Sequence, residues 1–377
     1  MRVGDLKLVW AAAVLLLAVS SSAGEPYDER MVVEFDGREW VAAHCDADDD
    51  RMIVEYLVNG ESPENWTELV TTNAFPVRQE PGAVAFLRDF YHTNVTKSCA
   101  QARWEELYNS DSMSICTWDL EECLGPDRTE YSLIGFFRGV QYLHAAVYAS
   151  RNKRVFEQKL PIWKEIFMRA RAFAPDESLG LPGGLLADTT KMIRAIYRME
   201  NPLWEPGSFI TLPKKLWRSG SRYARGEERP DVTNGVHGLL ITNEPDMWMI
   251  NLFDNSGKHA VDPGPTYNTI CPVFGELKQD GLGALEFGRE EAFFVYYGTR
   301  RLADETIDSV ACQVYELPRW RWLLRLYVRK DTGLPYRVTR RSPNGNVEAV
   351  AYDEYVPNLD LDTTLFVPPE NVTMSEN

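Results

Sequence analysis

The 377-residue chain is poor in histidine: there are five, and no two stand at the i, i+4 spacing that lets one helix face hold a metal. It has no Gly-x-Ser-x-Gly elbow, no His-Glu-x-x-His, no glycine-rich phosphate loop and no Cys-x-x-Cys. Serine-hydrolase, zinc-protease, nucleotide-phosphate and dithiol chemistries therefore have no constellation to rest on. Carboxylates are plentiful, but no spacing singles out a hydrolytic pair. Positive charge is also short: the formal net charge is −16. That balance argues against nucleic acid, whose affinity comes from clustered Lys and Arg. It argues equally against attachment to anionic lipid by charge alone.

Long hydrophobic runs are missing beyond the N-terminus. The one unbroken apolar stretch, Leu8 to Val19, is too short to cross ~30 Å of hydrocarbon as a helix. Arg2 and Lys7 precede it and Ser21-Ser22-Ala23 follow, the pattern of a signal peptide over residues 1–23 with cleavage before Gly24. The competing reading is a retained anchor. Cys45 is the first cysteine, so no lipidated N-terminus is expected. The expectation is a periplasmic or secreted chain, not lipidated, with no transmembrane segment after cleavage.

The whole chain is 44% hydrophobic and 12% aromatic, enough to build two cores. The six cysteines suit disulfides in an exported protein. Cys99 with Cys123 is the preferred pair, and Cys271 with Cys312 the second; buried free thiols are the alternative. Short strands are expected at Met31–Phe35 and Glu39–His44, with further strands at Met52–Val58, Trp66–Phe75 and Ser114–Leu120. Leu133–Tyr148 reads as a hairpin broken at Gly139. A helix is expected over Ala83–Phe90 with Phe86 and Phe90 on one face. Another should start at Pro161 and bury Trp163, Ile166, Phe167 and Ala170. Asp46–Asp50 lacks the Gly and closing Glu of a calcium loop and reads as a solvated turn.

These elements suggest an α+β domain over residues 26–173. A Pro- and Gly-rich linker with a short helix at Thr189–Tyr197 fills 174–204. From residue 205 the texture is of long strands. Arg321–Arg329 alternates, with Trp322, Leu324, Leu326 and Val328 on one face. Asp331-Thr332-Gly333 and Ser342-Pro343-Asn344-Gly345 turn the chain between strands. Met247–Phe253 is apolar on both faces and needs covering on both, by a domain contact or by a ligand. Residues 371–377 form a tail.

Within 205–370 several motifs occur together: Val310-Ala311-Cys312-Gln313-Val314-Tyr315, an Arg-rich strand, Asp331-Thr332-Gly333-Leu334-Pro335, Tyr352-Asp353-Glu354-Tyr355, and a close on Leu365, Phe366 and Pro368-Pro369. As a set this region resembles the outer-membrane lipoprotein-sorting (LolA/LolB-like) superfamily. The resemblance implies a curved antiparallel half-barrel around a helical plug, with an apolar concave cavity. It also implies an arginine that latches a lid, for which Arg218, Arg222 and Arg225 are candidates. Glu64-Asn65-Trp66-Thr67-Glu68-Leu69-Val70-Thr71 is similar to the strand entry of exported PsbP/Mog1-like α+β sandwich domains, which implies binding rather than catalysis.

The expected function is therefore non-enzymatic: an envelope protein that binds or carries an acyl chain, lipid or lipoprotein, without a cofactor. The expected lining is Trp217, Trp248, Ile250, Leu252, Trp322 and Leu324. The alternative is a module that senses envelope state through a protein partner and holds no lipid. Two further candidates stand beside these. His237 and His259, completed by Asp254 or Asp262, offer a metal or acid–base site. Arg319, Arg321, Arg325, Arg329, Arg337, Arg340 and Arg341 offer a basic stripe, unless they pair with Glu348, Asp353 and Glu354.

Overall fold

The computed structural model describes residues 29–48, 50–76, 81–174, 191–261, 271–274 and 282–376. The expected signal peptide and residues 175–190 of the expected linker lie outside them. The chain forms two compact units, residues 1–175 with 318–323, and 176–317 with 324–377. The fold is α+β, with open antiparallel sheets and few helices.

In the first unit β1 (Arg30–Val32) pairs with β9 (Arg171–Phe173). The main sheet has seven strands: β2 (Trp40–Ala47), β3 (Met52–Val58), β4 (Glu68–Phe75), β5 (Arg103–Asn109), β6 (Met113–Asp119), β7 (Tyr131–Arg138) and β8 (Leu143–Ser150). Their order is β2-β3-β4-β8-β7-β6-β5. The central hairpin β7–β8 is buried almost throughout, because a helix lies on each face. Alternation divides its side chains: Leu133, Phe137, Ala146 and Tyr148 join the core of Trp163 and Phe167, while Ile134, Phe136, Ala145 and Val147 join that of Leu87 and Tyr91.

Helix α1 (Ala83–Ser98) turns Val84, Leu87, Tyr91 and Val95 inward. Phe86, expected on the buried face, is instead 53% exposed. The short α2 (Glu121–Leu124) follows β6, and Cys123 at its end is bonded to Cys99 at the end of α1. Helix α3 spans Lys153–Arg169, so Pro161 lies inside it rather than at its start. Asn152 caps it by accepting the Val155 N–H at 3.2 Å. The charged, solvent-facing first half carries little apolar periodicity, and the packing of Phe156 and Trp163 holds it in place.

Buried charge in this unit is hydrogen-bonded. Glu29 and His144 are both 0% exposed; Glu29 takes the backbone N–H groups of Val140 and Gln141 at 2.8 Å, and His144 Nε2 lies 2.7 Å away. Glu68 accepts from the Tyr148 hydroxyl and from the Arg38 guanidinium, which also grips Asp36. Burial pushes the pKa of Glu29, Asp36 and Glu68 up, but hydrogen bonds from His144 or Arg38 outweigh it and leave all three low.

Glu130, next to the start of β7, behaves oppositely: enclosure of its carboxyl pushes the pKa up to about 7. A raised folded-state pKa means the native chain holds a proton that the unfolded chain releases above pH ~4.5, so stability falls as pH rises from there through 7. Glu130→Gln is expected to raise Tm at pH 8 and leave it nearly unchanged at pH 5. Equal shifts at both values in thermal melts would contradict this origin.

The second unit contains a sheet of thirteen strands among the described residues. These are β10 (Lys191–Glu200), β11 (Lys214–Ser219), β12 (Tyr223–Glu227), β13 (Gly238–Asn243), β14 (Asp246–Asn251), β15 (Ser256–Val261), β16 (Arg300–Arg301), β17 (Glu305–Ile307), β18 (Val310–Arg319), β19 (Trp322–Arg329), β20 (Pro335–Arg341), β21 (Val347–Asp360) and β22 (Thr373–Glu376). The path runs β16-β18-β19-β20-β21-β10-β11-β12-β13-β14-β15-β22, with β17 on β18. The expected helix at Thr189–Tyr197 is in fact β10, held between β21 and β11. Register shifts against β21 at Met192/Arg194 and Ile196/Tyr197 break the alternation, so no clean period of two shows in its sequence. The expected tail holds β22, which pairs in parallel with β15.

Cys271 and Cys312 are free thiols, as are the buried Cys45 and Cys116, so the second expected disulfide does not form. Cys312 is fully buried within β18, in line with the alternative of a packed thiol.

Candidate functional site

The register of β10 to β15 divides their side chains between two faces. One face carries Trp217, Ile241, Leu239, Trp248 and Ile250, which pack with Leu252 and Met192 into a single cluster. Phe366, fully buried, sits in its middle, and Leu359, Leu361, Leu365, Val372 and Met374 pack around it. Arg225 ties this segment down by donating to the Leu365 carbonyl at 3.0 Å. Four of the six expected lining residues are therefore brought together, and the chain's own C-terminal segment covers them. The other two lie elsewhere: Leu324 is fully buried in β19, and Trp322 groups with the first unit.

The opposite face is half covered. Residues 282–294 and helix α4 (Glu290–Tyr296) bury Leu285, Phe287, Phe293 and Phe294, and act as a plug. Phe287 packs on Tyr197 with ring centroids 4.5 Å apart, and a Cβ on Gly288 would lie 2.7 Å from Ile193, so glycine permits the close approach. Arg218 is the arginine that holds this plug: Nη2 meets Glu286 at 2.5 Å and Nη1 donates to the Phe287 carbonyl at 3.1 Å. Arg222 and Arg225 serve other contacts. Glu290 has no cation partner among the described residues; it accepts from the Tyr352 and Tyr355 hydroxyls and the Gly288 N–H, and burial pushes its pKa up.

Beyond the plug the same face opens only at β13 and β14, while Leu216, Arg218, Ala224 and Thr242 of the flanking strands stay buried. Cross-strand pairing lines up Leu216, Gly226, Leu240, Met249 and Lys258 in one row. The next row is Arg218, Ala224, Thr242, Met247 and Ala260. Leu240, Met247 and Met249 are 43%, 36% and 47% exposed. A Cβ at Gly226 would meet nothing within 4 Å, so the floor of the row dips there. Four strand spacings make the row about 19 Å long. The expectation that Met247–Phe253 is covered on both sides is thus corrected: Trp248 and Ile250 are roofed, whereas Met247, Met249 and Phe253 face solvent. Sequence periodicity missed this strip, since a strand apolar on both faces does not reveal which face is closed.

The other candidates disperse. His237 lies 3.6 Å from Glu227, and His259 lies 2.8 Å from Asp246 while stacking on Trp248. Asp254 accepts from Ser256 instead, and Asp262 is outside the described residues. Among the described residues no group of three or more His, Cys, Asp or Glu could hold a metal ion. Four arginines of the expected stripe are engaged: Arg325 with Glu316, Arg329 with Asp331, Arg337 with Glu200 and Arg340 with Glu348. Asp353 and Glu354 pair with Arg198 and Arg194 of β10.

An open antiparallel sheet, plugged on one face by a short helical segment, is the class the second unit defines. Solved structures to which the chain is similar include an uncharacterized conserved protein from Thermus thermophilus, at 11% identity over 50% of this chain and 91% of that one, with a TM-score of 0.31. Others are a LolA superfamily protein from Nitrosomonas europaea (11% identity, 52% and 98% covered, TM-score 0.23) and an outer membrane lipoprotein-sorting protein domain from Vibrio parahaemolyticus (12%, 50% and 94%, 0.24). No protein-family model matches the chain, and no curated protein matches it. The Cys99–Cys123 disulfide fits an exported protein, and no helix among the described residues is long and apolar enough to cross a membrane.

Proposed function

We propose that the chain is a non-enzymatic, exported envelope protein that binds or carries an acylated ligand, a lipid or lipoprotein, on the second unit. The observation that supports this reading is the exposed apolar group Leu240, Met247 and Met249 on the neighbouring strands β13 and β14, beside the plug. Neighbouring exposed Leu and Met side chains on adjacent strands are the kind of apolar patch that a contact site presents. Methionine suits a flexible chain, because its unbranched side chain adapts to irregular partners. Each methylene buried there would contribute about 0.8 kcal/mol.

Trp217, Trp248, Ile250 and Leu252 act in this reading from the reverse face: they hold β11 and β14 in register and the strip flat. A direct ligand role for them would require the Leu365–Phe366 segment to leave. For the first unit the reading is an interaction role. Titration of the purified full chain with a fluorescent long-chain fatty acid tests the reading. Saturation at one equivalent and micromolar affinity are expected. Failure to bind at any concentration below the probe's self-association would sink it.

A further inference from the structure

The second unit holds another feature that the acyl-binding reading does not use, a cavity of about 520 Å³ at the end of β10. We infer that it is a binding site for a saccharide ring, separate from the apolar strip. Its floor is sheet: Arg198 and Glu200 of β10, Arg337 of β20 and Ala349 of β21. Register sets Glu200 opposite Ala349, and sets Arg198 and Arg337 on the two sides of Ala351, so small side chains separate the charged ones and leave the space. The loop that follows β10 forms the wall, with Asn201 and Trp204.

The chemistry of the lining selects among ligands. Arg337 Nη2 meets Glu200 at 2.6 Å and Arg198 Nε meets Asp353 at 2.9 Å, so the two cations are balanced by two carboxylates. An anion would be repelled by Glu200 as much as it is drawn to the arginines. Met199, Pro202, Pro206 and Val347 add apolar patches, but an acyl chain laid along them would also cross both ion pairs and strip their water without replacing it, whereas a ring with an apolar face and a hydroxyl edge matches both parts of the lining. A sugar ring meets neither objection, since its hydroxyls donate to Glu200 and accept from a guanidinium. Trp204 is the one aromatic ring of the lining and offers an apolar surface to the C–H face of a pyranose. The volume lies in the range of small-molecule sites.

Calorimetric titration of the full chain with cellobiose, maltose and N,N′-diacetylchitobiose tests the inference, with sodium sulfate and octanoate as probes of the competing classes. Binding of at least one disaccharide is expected. It should weaken at least tenfold in Trp204→Ala and in Arg337→Lys, and stay unchanged in Met249→Glu, which alters only the strip. Circular dichroism of the variants separates loss of binding from loss of fold. The assignment is overturned if no disaccharide binds at millimolar concentration, or if a bound one is indifferent to Trp204→Ala in the folded variant. Competition by sulfate or octanoate at equal concentration would overturn it as well.

Discussion

Glu29→Ala is expected to destabilise the first unit by about 3–5 kcal/mol, a large share of what holds a domain folded. The carboxylate is fully buried, lies 2.7 Å from His144 Nε2 and takes the Val140 and Gln141 N–H groups at 2.8 Å each. These donors sit at the turn between β7 and β8, the two most buried strands of the unit. Removing the acceptor takes away the partner of three backbone N–H groups, those of Val140, Gln141 and Tyr142, and of an imidazole, and each such loss costs about 1–3 kcal/mol where water does not replace it. The fit is tight on the backbone side too: a Cβ on Gly139 would lie 1.7 Å from Glu29 Oε1. Urea melts of the wild type and Glu29→Ala give the comparison. A loss below about 1 kcal/mol would show that water replaces the carboxylate and that the cluster is not structural.

Leu240→Glu combined with Met249→Glu is expected to weaken acyl-ligand binding at least about a hundredfold, close to 2.7 kcal/mol. The two side chains are cross-strand partners on the open face, so the substitution puts two carboxylates where the ligand must lie dry. Both sites are exposed, and the change in folding stability should stay small. Gly226→Leu supplies an independent check. It fills the dip in the row without adding charge, and should reduce affinity for long chains more than for short ones. If the double variant and Gly226→Leu both bind as the wild type does, the strip is not the ligand site. The cluster roofed by Phe366 would then be the surface to open, by removing the segment from Leu359 onward.

Much of the architecture was legible in the residues because local signals agreed. The β7–β8 hairpin, the strand within Arg321–Arg329 and the turns at 331–333 and 342–345 all carried their own chemistry, although Leu323 and Tyr327 on the strand's expected outer face are buried as well. Cys99 and Cys123 were readable as a pair, and they close a short loop between two neighbouring elements. What escaped was non-local. The strand β10 carries Met192 and Ile196 four apart, a helix-like spacing, and only its neighbours β11 and β21 make it a strand. Pro161 looked like a helix start because the polar half before it shows no apolar face. The candidate lining was divided between faces for a related reason. Trp248 and Met249 are equally apolar in sequence, yet Phe366, more than a hundred residues later, covers the first and leaves the second open.

The most direct test is mass spectrometry of lipids extracted from the protein purified in its exported form, with a mock purification and the Leu240→Glu, Met249→Glu double variant alongside. The account predicts a near-stoichiometric acyl species with the wild type, absent from the mock and depleted in the variant. A wild-type protein that carries no acyl species above the mock, or one that the variant retains in full, would contradict it.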